Sequence, residues 1–135
     1  MGTDANPAGC WWTIDTLGAD GIVRVATHGP MGREDLMRMI RESLARANEA
    51  RRERFLVDHR DMRPLVGAAE IYDLPRISQR EGLGSRLRIA ILYPVDSPHR
   101  GDFEFYQMMS WSIGADHIRL FTETDAALEW LQDGA

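Results

Sequence analysis

The chain has 135 residues, the length of one ordinary globular domain, and 44% of its residues are hydrophobic and 27% charged. All 16 cationic residues are arginine, which excludes chemistry that needs a lysine amine, as in pyridoxal phosphate enzymes, lysine aldolases, phosphate-loop NTPases and protein kinases. The net charge of −5 argues against nucleic acid as a partner, because such binding needs a basic face.

The N-terminal residues and the single cysteine limit the possible domain organisations. Cys10 alone excludes an intramolecular disulfide and a multi-cysteine zinc site. Residues 1–9 are typical of a flexible tail, followed by one domain over residues 10–133. No basic region followed by an apolar run opens the chain, and the longest apolar stretch, residues 89–93, is too short to span a membrane. We expect a cytoplasmic protein without an integral membrane segment.

The first third of the chain predicts a hairpin and a helix. Residues 11–17 and 22–27 are rich in β-type residues and are separated by a glycine-containing turn. Residues 28–30, His-Gly-Pro, are expected to end the second strand. Apolar residues at helical spacing predict a helix over residues 33–50, with acidic residues in its first turn.

The middle of the chain predicts two strands around a shorter helix. Residues 55–58 form a short apolar run that a charged cluster is expected to end. A helical segment begins at about Gly67, and Pro75 is expected to break or kink it. Residues 87–93 place apolar side chains on both faces of a strand, which predicts a central strand that is covered on both faces.

The last third predicts a helix, an edge strand and a final helix. Large apolar residues at helical spacing mark a helix over residues 103–113, which Gly114 can cap. Residues 117–121 alternate like a half-exposed strand. Thr122 and Asp125 have the spacing of a capping box at the start of the last helix.

The predicted order is β-β-α-β-α-β-α-β-α. Strands separated by helices indicate parallel pairing with right-handed crossovers, whereas the short first turn makes the first pair antiparallel. The sequence therefore predicts a single-domain α/β fold with a mixed, mostly parallel five-stranded sheet. The strands at residues 55–58 and 87–93 should lie side by side and parallel, so that the segments after them meet at one edge.

This order and several segments resemble the STAS/SpoIIAA-like superfamily, the fold of anti-sigma-factor antagonists, and especially its bacterial STAS/lipid-binding branch. The resemblance runs from residue 11 to 131 and is carried by FLVDHR at 55–60, EIYDLP at 70–75, RIAIL at 88–92 and FTETDAALEWL at 121–131. Antagonists of this superfamily carry a phosphorylatable serine after the third strand, but residues 58–72 contain no Ser or Thr. The resemblance implies a non-catalytic domain, with no cofactor and no such switch, that binds a small ligand, a lipid or a partner protein.

Candidate binding residues follow the predicted strand ends, where open parallel sheets bind ligands. Arginines near helix N-termini suit an anionic group, and aromatic side chains of the third helix suit an apolar body. We expect a small anionic or lipid-like ligand to contact the following residues: His59, Arg60, Arg63, Tyr93, His99, Arg100 and Tyr106.

Two alternatives belong to other classes of function. In the first, a metal-assisted hydrolase binds zinc through histidines that each follow a predicted strand: His28, His59 and His99. The spacing matches no recognised metal motif. In the second, a homodimeric interaction module uses an exposed apolar strip on the third helix, formed by Phe105, Met108 and Trp111, unless other segments of the chain cover it.

Overall fold

The computed structural model describes residues 9–133. The sequence predicts a tail over residues 1–9. Residues 1–8 of that segment lie outside the described range. None of the helices within it combines the length and apolar composition needed to cross a bilayer. In chain order the elements are β1 (Trp11–Asp15), β2 (Ile22–Met31), α1 (Arg33–Ala50), β3 (Arg54–Pro64), α2 (Ala68–Arg80), β4 (Arg88–Leu92), α3 (Arg100–Ser112), β5 (Ile118–Phe121) and α4 (Thr124–Gln132).

The five strands form one sheet in the order β1-β2-β3-β4-β5. β1 is antiparallel to β2, and the remaining neighbours are parallel. Phe55 lies opposite Ile89 and Asp58 opposite Leu92, so β3 and β4 run side by side in the same direction. The predicted mixed, mostly parallel sheet and the predicted order of elements are therefore confirmed.

Two separate hydrophobic cores lie on the two faces of the sheet. β4 contributes to both, because successive side chains of a strand point to opposite faces: Ile89 and Ile91 belong to the larger core with α1, α2 and α3. The smaller core lies against α4 and contains Ile22, Leu56, Ala90, Leu92, Ala127 and Leu131. All four residues after Arg88 in β4 are buried, as expected for a strand covered on both faces.

β2 and β3 are longer than the sequence indicated. Residues 28–30 do not end β2, which continues to Met31, and β3 continues past Asp58 to Pro64. The two strands go on pairing with each other beyond the edge of β4, so backbone hydrogen bonds hold polar residues in strand conformation. Their register shifts on the way: Ala26 faces Asp58, whereas His28 faces Asp61. This shift is a bulge that places one extra residue in β3.

Pro75 does not break α2, which runs without interruption to Arg80. A proline inside a helix removes one backbone hydrogen bond. Here its ring is fully buried, and Ile71 and Leu74 on the same helix are also buried. Burial of this apolar surface offsets the lost hydrogen bond and keeps the helix continuous.

The predicted capping box at the start of α4 is wrong. The N-cap residue is Glu123, and no side chain caps the helix. Thr122 lies one residue before the N-cap, directly after β5, whose last residue Phe121 accepts a hydrogen bond from the Tyr93 amide. The chain leaves the sheet only after that residue, and the helix begins with the bond from the Ala127 amide to the Glu123 carbonyl.

Replacing Gly29 tests the close approach of β2 to the start of the described chain. Both Gly21 and Gly29 have positive φ, but only at Gly29 would a Cβ meet another atom, 2.6 Å from the Gly9 carbonyl oxygen. We expect Gly21→Ala to lower the free energy of unfolding by about 1 kcal/mol, the cost of a left-handed backbone. Gly29→Ala should cost roughly 3 kcal/mol, because the backbone must also move. Urea unfolding measures both variants, and equal losses would contradict the contact with Gly9.

Candidate functional site

A cavity of about 110 Å³ lies between the sheet and the three helices of the larger core. Its floor is formed by β3 and β4, and its sides by α1 and α3. α2 packs mainly against α3 and, to a smaller extent, against α1. Its residues Ile71, Leu74 and Ser78 line the cavity on the side away from the sheet.

The lining of the cavity is apolar with a few polar groups. Leucine, isoleucine, methionine and valine side chains make up most of it, together with Phe55 and Phe103. The polar lining residues are Ser43 on α1, His59 on β3, Ser78 on α2, and Asp102 and Tyr106 on α3. Apolar walls with a small number of placed polar groups are typical of small-molecule sites.

The bulge between β2 and β3 fixes the position of His59. Thr27, fully buried on β2, has its hydroxyl 3.2 Å from the Asp58 carbonyl oxygen and 2.6 Å from His59 Nδ1. The hydroxyl has one hydrogen, and a carbonyl oxygen only accepts, so both contacts are hydrogen bonds when the hydroxyl donates to Asp58 and accepts from His59. The arrangement therefore favours the tautomer in which His59 Nδ1 carries the proton.

His59 is an uncharged histidine at neutral pH. Burial lowers its pKa to about 4, a shift that the nearby Asp58 carboxylate opposes. In the neutral tautomer that the Thr27 contact favours, Nε2 is a hydrogen-bond acceptor. Within residues 9–133, Nε2 has no hydrogen-bond partner. The imidazole ring lies 6.1 Å from the ring of Phe103, centre to centre, at the cavity wall.

Two serine hydroxyls on the cavity wall lack hydrogen bonds. In the described part of the chain, Ser43 Oγ and Ser78 Oγ are both buried without a partner. Ser78 lies near the Tyr106 phenol but makes no well-formed hydrogen bond with it, and burial raises the pKa of Tyr106, which remains neutral. Buried hydroxyls are normally paired, so these two indicate a place where another molecule can supply the partner.

The start of α3 forms the rim of the cavity. Asp102 lines the cavity with a side chain that is 42% exposed, and its carboxylate is 3.6 Å from His99 Nδ1. Arg100 is paired with Glu104, which also accepts a hydrogen bond from the Tyr93 hydroxyl. Of the predicted contacts, His99, Arg100 and Tyr93 therefore lie near the rim but do not line the cavity.

The arginines of β3 do not lie at the cavity. Arg60 follows His59 on the strand and lies on the opposite face, where two of its nitrogens bond to the Asp58 carboxylate. Although burial raises the pKa of Asp58, the hydrogen bonds from Arg60 hold it below its usual value. Arg63 is exposed beyond the bulge. Of the seven predicted contacts, only His59 and Tyr106 line the cavity.

The structure does not bring together the histidines of the metal-hydrolase alternative. His59 is held by Thr27 at the cavity, whereas His28 stacks on Trp11 and places its Nδ1 2.6 Å from Asp61 Oδ2. His99 precedes the first turn of α3. Across residues 9–133, no group of three or more His, Cys, Asp or Glu side chains is arranged to hold a metal ion. The geometry gives no support to a three-histidine centre.

The exposed apolar surface on α3 is smaller than the strip that the sequence predicts. Met108 and Trp111 are 61% and 51% exposed, whereas Phe105 is half-buried. The Trp111 indole nitrogen donates to the Ile118 carbonyl oxygen, which anchors one edge of its ring to β5. The remaining exposed surface is a patch of two side chains, separated by one turn of the helix.

Sequence reasoning missed Thr27, Ser43 and Ser78. Ser43 had a detectable signal, because it falls on the same helical face as Leu36, Ile40 and Leu44, and a serine on an apolar face is unusual. The role of Thr27 depends on the bulge, which no local pattern in the sequence indicates.

Comparison with known proteins identifies the fold. The chain matches no protein-family model and no curated protein. The structure of an anti-sigma factor antagonist from Mycobacterium paratuberculosis aligns with a TM-score of 0.62 at 15% identity, covering 96% of this chain and 100% of that one. An uncharacterized protein of the DUF3478 family with a SpoIIAA-like fold, from Shewanella loihica, aligns with a TM-score of 0.56 at 18% identity, covering 95% and 98%. The chain therefore has a SpoIIAA-like fold, as its sequence predicted.

The lowered pKa of His59 predicts how stability depends on pH. Between its ordinary value of 6.5 and about 4, the unfolded chain binds a proton that the folded chain does not. The free energy of unfolding should therefore fall as pH decreases through this interval, by roughly 1 kcal/mol per pH unit. Urea unfolding at several pH values measures this slope. In His59→Gln the slope over the same interval should be markedly smaller, and an unchanged slope would contradict the assignment.

Proposed function

We propose that this chain is a non-enzymatic binding domain that holds a small apolar or amphipathic molecule in the cavity beneath α2. The observation that supports this most is the cavity itself, which has apolar walls and unpaired hydroxyls on two different helices. Binding of a molecule there would change the packing of α2 on its neighbours. A partner that contacts α2 or α3 would then respond to the ligand, which suits a regulatory role.

The positions of the arginines narrow the class of ligand that the sequence predicts. None of the arginines within residues 9–133 lines the cavity, and two of the predicted anion-binding residues, Arg60 and Arg100, are already paired with carboxylates. An apolar body is supported by the lining, whereas an anionic group would have to remain at the rim. Similarity to an anti-sigma factor antagonist is consistent with a regulatory domain that acts through binding.

Ser43→Leu tests whether the cavity is the binding site. A leucine side chain would occupy the cavity from α1 and remove an unpaired hydroxyl. We expect the folded chain to be stabilised by about 1 kcal/mol, since a buried unsatisfied group is lost, and binding of benzene or toluene to be abolished. Calorimetric titration and ligand-detected NMR measure binding.

The matched control is Ala45→Leu, which adds the same side chain at an exposed position two residues along α1. This variant should bind the hydrocarbons with the affinity of the unmodified chain. If Ser43→Leu binds them equally well, the cavity is not where they bind.

A second candidate is an interaction with another protein through the exposed patch of Met108 and Trp111 on α3. Exposed large apolar side chains on neighbouring turns are typical of interfaces. A second copy of this chain is the simplest occupant, as expected for a homodimeric module. Light scattering should then give a dimer for the unmodified chain and a monomer for Met108→Glu. A monomeric unmodified chain would overturn the homodimer.

A further inference from the structure

The polar groups of the cavity form a specific set of hydrogen-bonding positions. The hydrogen bond of the His59 side chain is made at Nδ1, which leaves Nε2 as an acceptor in the tautomer that this contact favours. Ser43 Oγ and Ser78 Oγ are 95% or more buried and also lack partners in the described chain. A serine hydroxyl can either donate or accept a hydrogen bond. In the tautomer with Nδ1 protonated, Nε2 can only accept one, so its partner in a ligand must be a donor.

The charges around the cavity select against ions. His59 is neutral near neutral pH, and no arginine among the described residues lines the walls. The one carboxylate that lines the cavity, Asp102, lies at the rim and would repel an anion entering beside it. A cation would lose its water on entering apolar walls without gaining a buried counter-charge. The ligand that fits these walls carries no charge.

The volume of the cavity limits the size of the ligand. An engineered apolar cavity of about 150 Å³ in another protein accepts benzene, and the cavity here has about 110 Å³. A drug-sized molecule needs roughly 300 Å³ or more. A single ring or a short branched chain therefore fits, with the flexible side chains of Met39 and Met62 able to adjust at the walls.

We propose that the cavity binds an uncharged, ring-sized apolar molecule with one hydroxyl group, a phenol or a cyclic alcohol, whose O–H donates a hydrogen bond to His59 Nε2. This inference rests on the proposed function, since it names the class of ligand for the same cavity. Thr27 acts as a positioning residue: it does not touch the ligand, but it fixes which nitrogen of His59 is available as the acceptor.

The test compares four probes of similar size on the full chain near neutral pH: benzene, phenol, pyridine and benzoate. Phenol can donate a hydrogen bond, pyridine only accepts one, benzene does neither, and benzoate is charged. Calorimetry or ligand-detected NMR gives each affinity. We expect phenol to bind at least about ten-fold more tightly than pyridine, because phenol can donate a hydrogen bond to Nε2 and pyridine cannot. Benzoate should show no binding. Pyridine binding more tightly than phenol would overturn the proposal.

His59→Leu removes the acceptor and keeps the apolar wall. In this variant the affinity for phenol should fall about ten-fold, the cost of an unpaired buried hydroxyl, while the affinity for benzene changes by less than about two-fold. Equal losses for the two probes would indicate that His59 only shapes the wall.

Thr27→Val tests the positioning role and remains informative if His59→Leu does not fold. Valine has the shape of threonine without the hydroxyl that accepts from Nδ1. Nitrogen-15 NMR of the imidazole should show protonated Nδ1 and unprotonated Nε2 in the unmodified chain, and a mixture of both tautomers in the variant. The preference for phenol over pyridine should weaken with it. An Nε2–H tautomer in the unmodified chain would overturn the proposal.

Failure of this inference is distinguishable from failure of the proposed function. If benzene binds and Ser43→Leu abolishes its binding, the cavity is a ligand site whatever the outcome for phenol. If phenol then shows no advantage over pyridine, only the ligand class is wrong. Absence of binding for benzene and phenol alike would overturn the proposed function itself.

Discussion

The continued pairing of β2 with β3 is the constraint on which the site depends. Beyond the edge of β4 the two strands hold each other through backbone hydrogen bonds. The bulge between them lets the Thr27 hydroxyl reach both the Asp58 carbonyl oxygen and the His59 imidazole. Without the bulge, the side chains of β3 beyond it would point to the opposite faces of the sheet, and Met62 would leave the larger core. One extra residue therefore sets both the tautomer of His59 and the wall beside it.

The cavity reflects a compromise between packing and access. Interiors are normally filled to the density of organic crystals, and unfilled space costs stability. Here α2 packs mainly against α3, and a cavity remains between the helices and the sheet of the larger core. Two serine hydroxyls remain unpaired in that space. Costs of this kind are common at sites where a bound molecule completes the packing.

Much of the fold could be predicted because its signals are local and periodic. Apolar spacing identified α1, and the doubly apolar strand at β4 identified the centre of the sheet, with parallel order following from the intervening helices. The candidate site was harder to predict from the sequence, because it depends on contacts between residues that are distant along the chain. Arg60 was expected at the ligand because it neighbours His59 in sequence, but alternation along a strand puts neighbours on opposite faces. Pro75 was expected to interrupt a helix that tertiary burial preserves.

The separation of the two cores by the sheet has a consequence for how this domain can change over time. The smaller core, six buried residues from β2, β3, β4 and α4, shares no side chain with the cavity. Mutations that enlarge or shrink the cavity, or change its polarity, therefore leave the side chains of the smaller core in place. Such a division lets the residues around the cavity vary while the packing on the other face of the sheet is retained, and it makes the three-helix face the natural place to introduce a designed binding site.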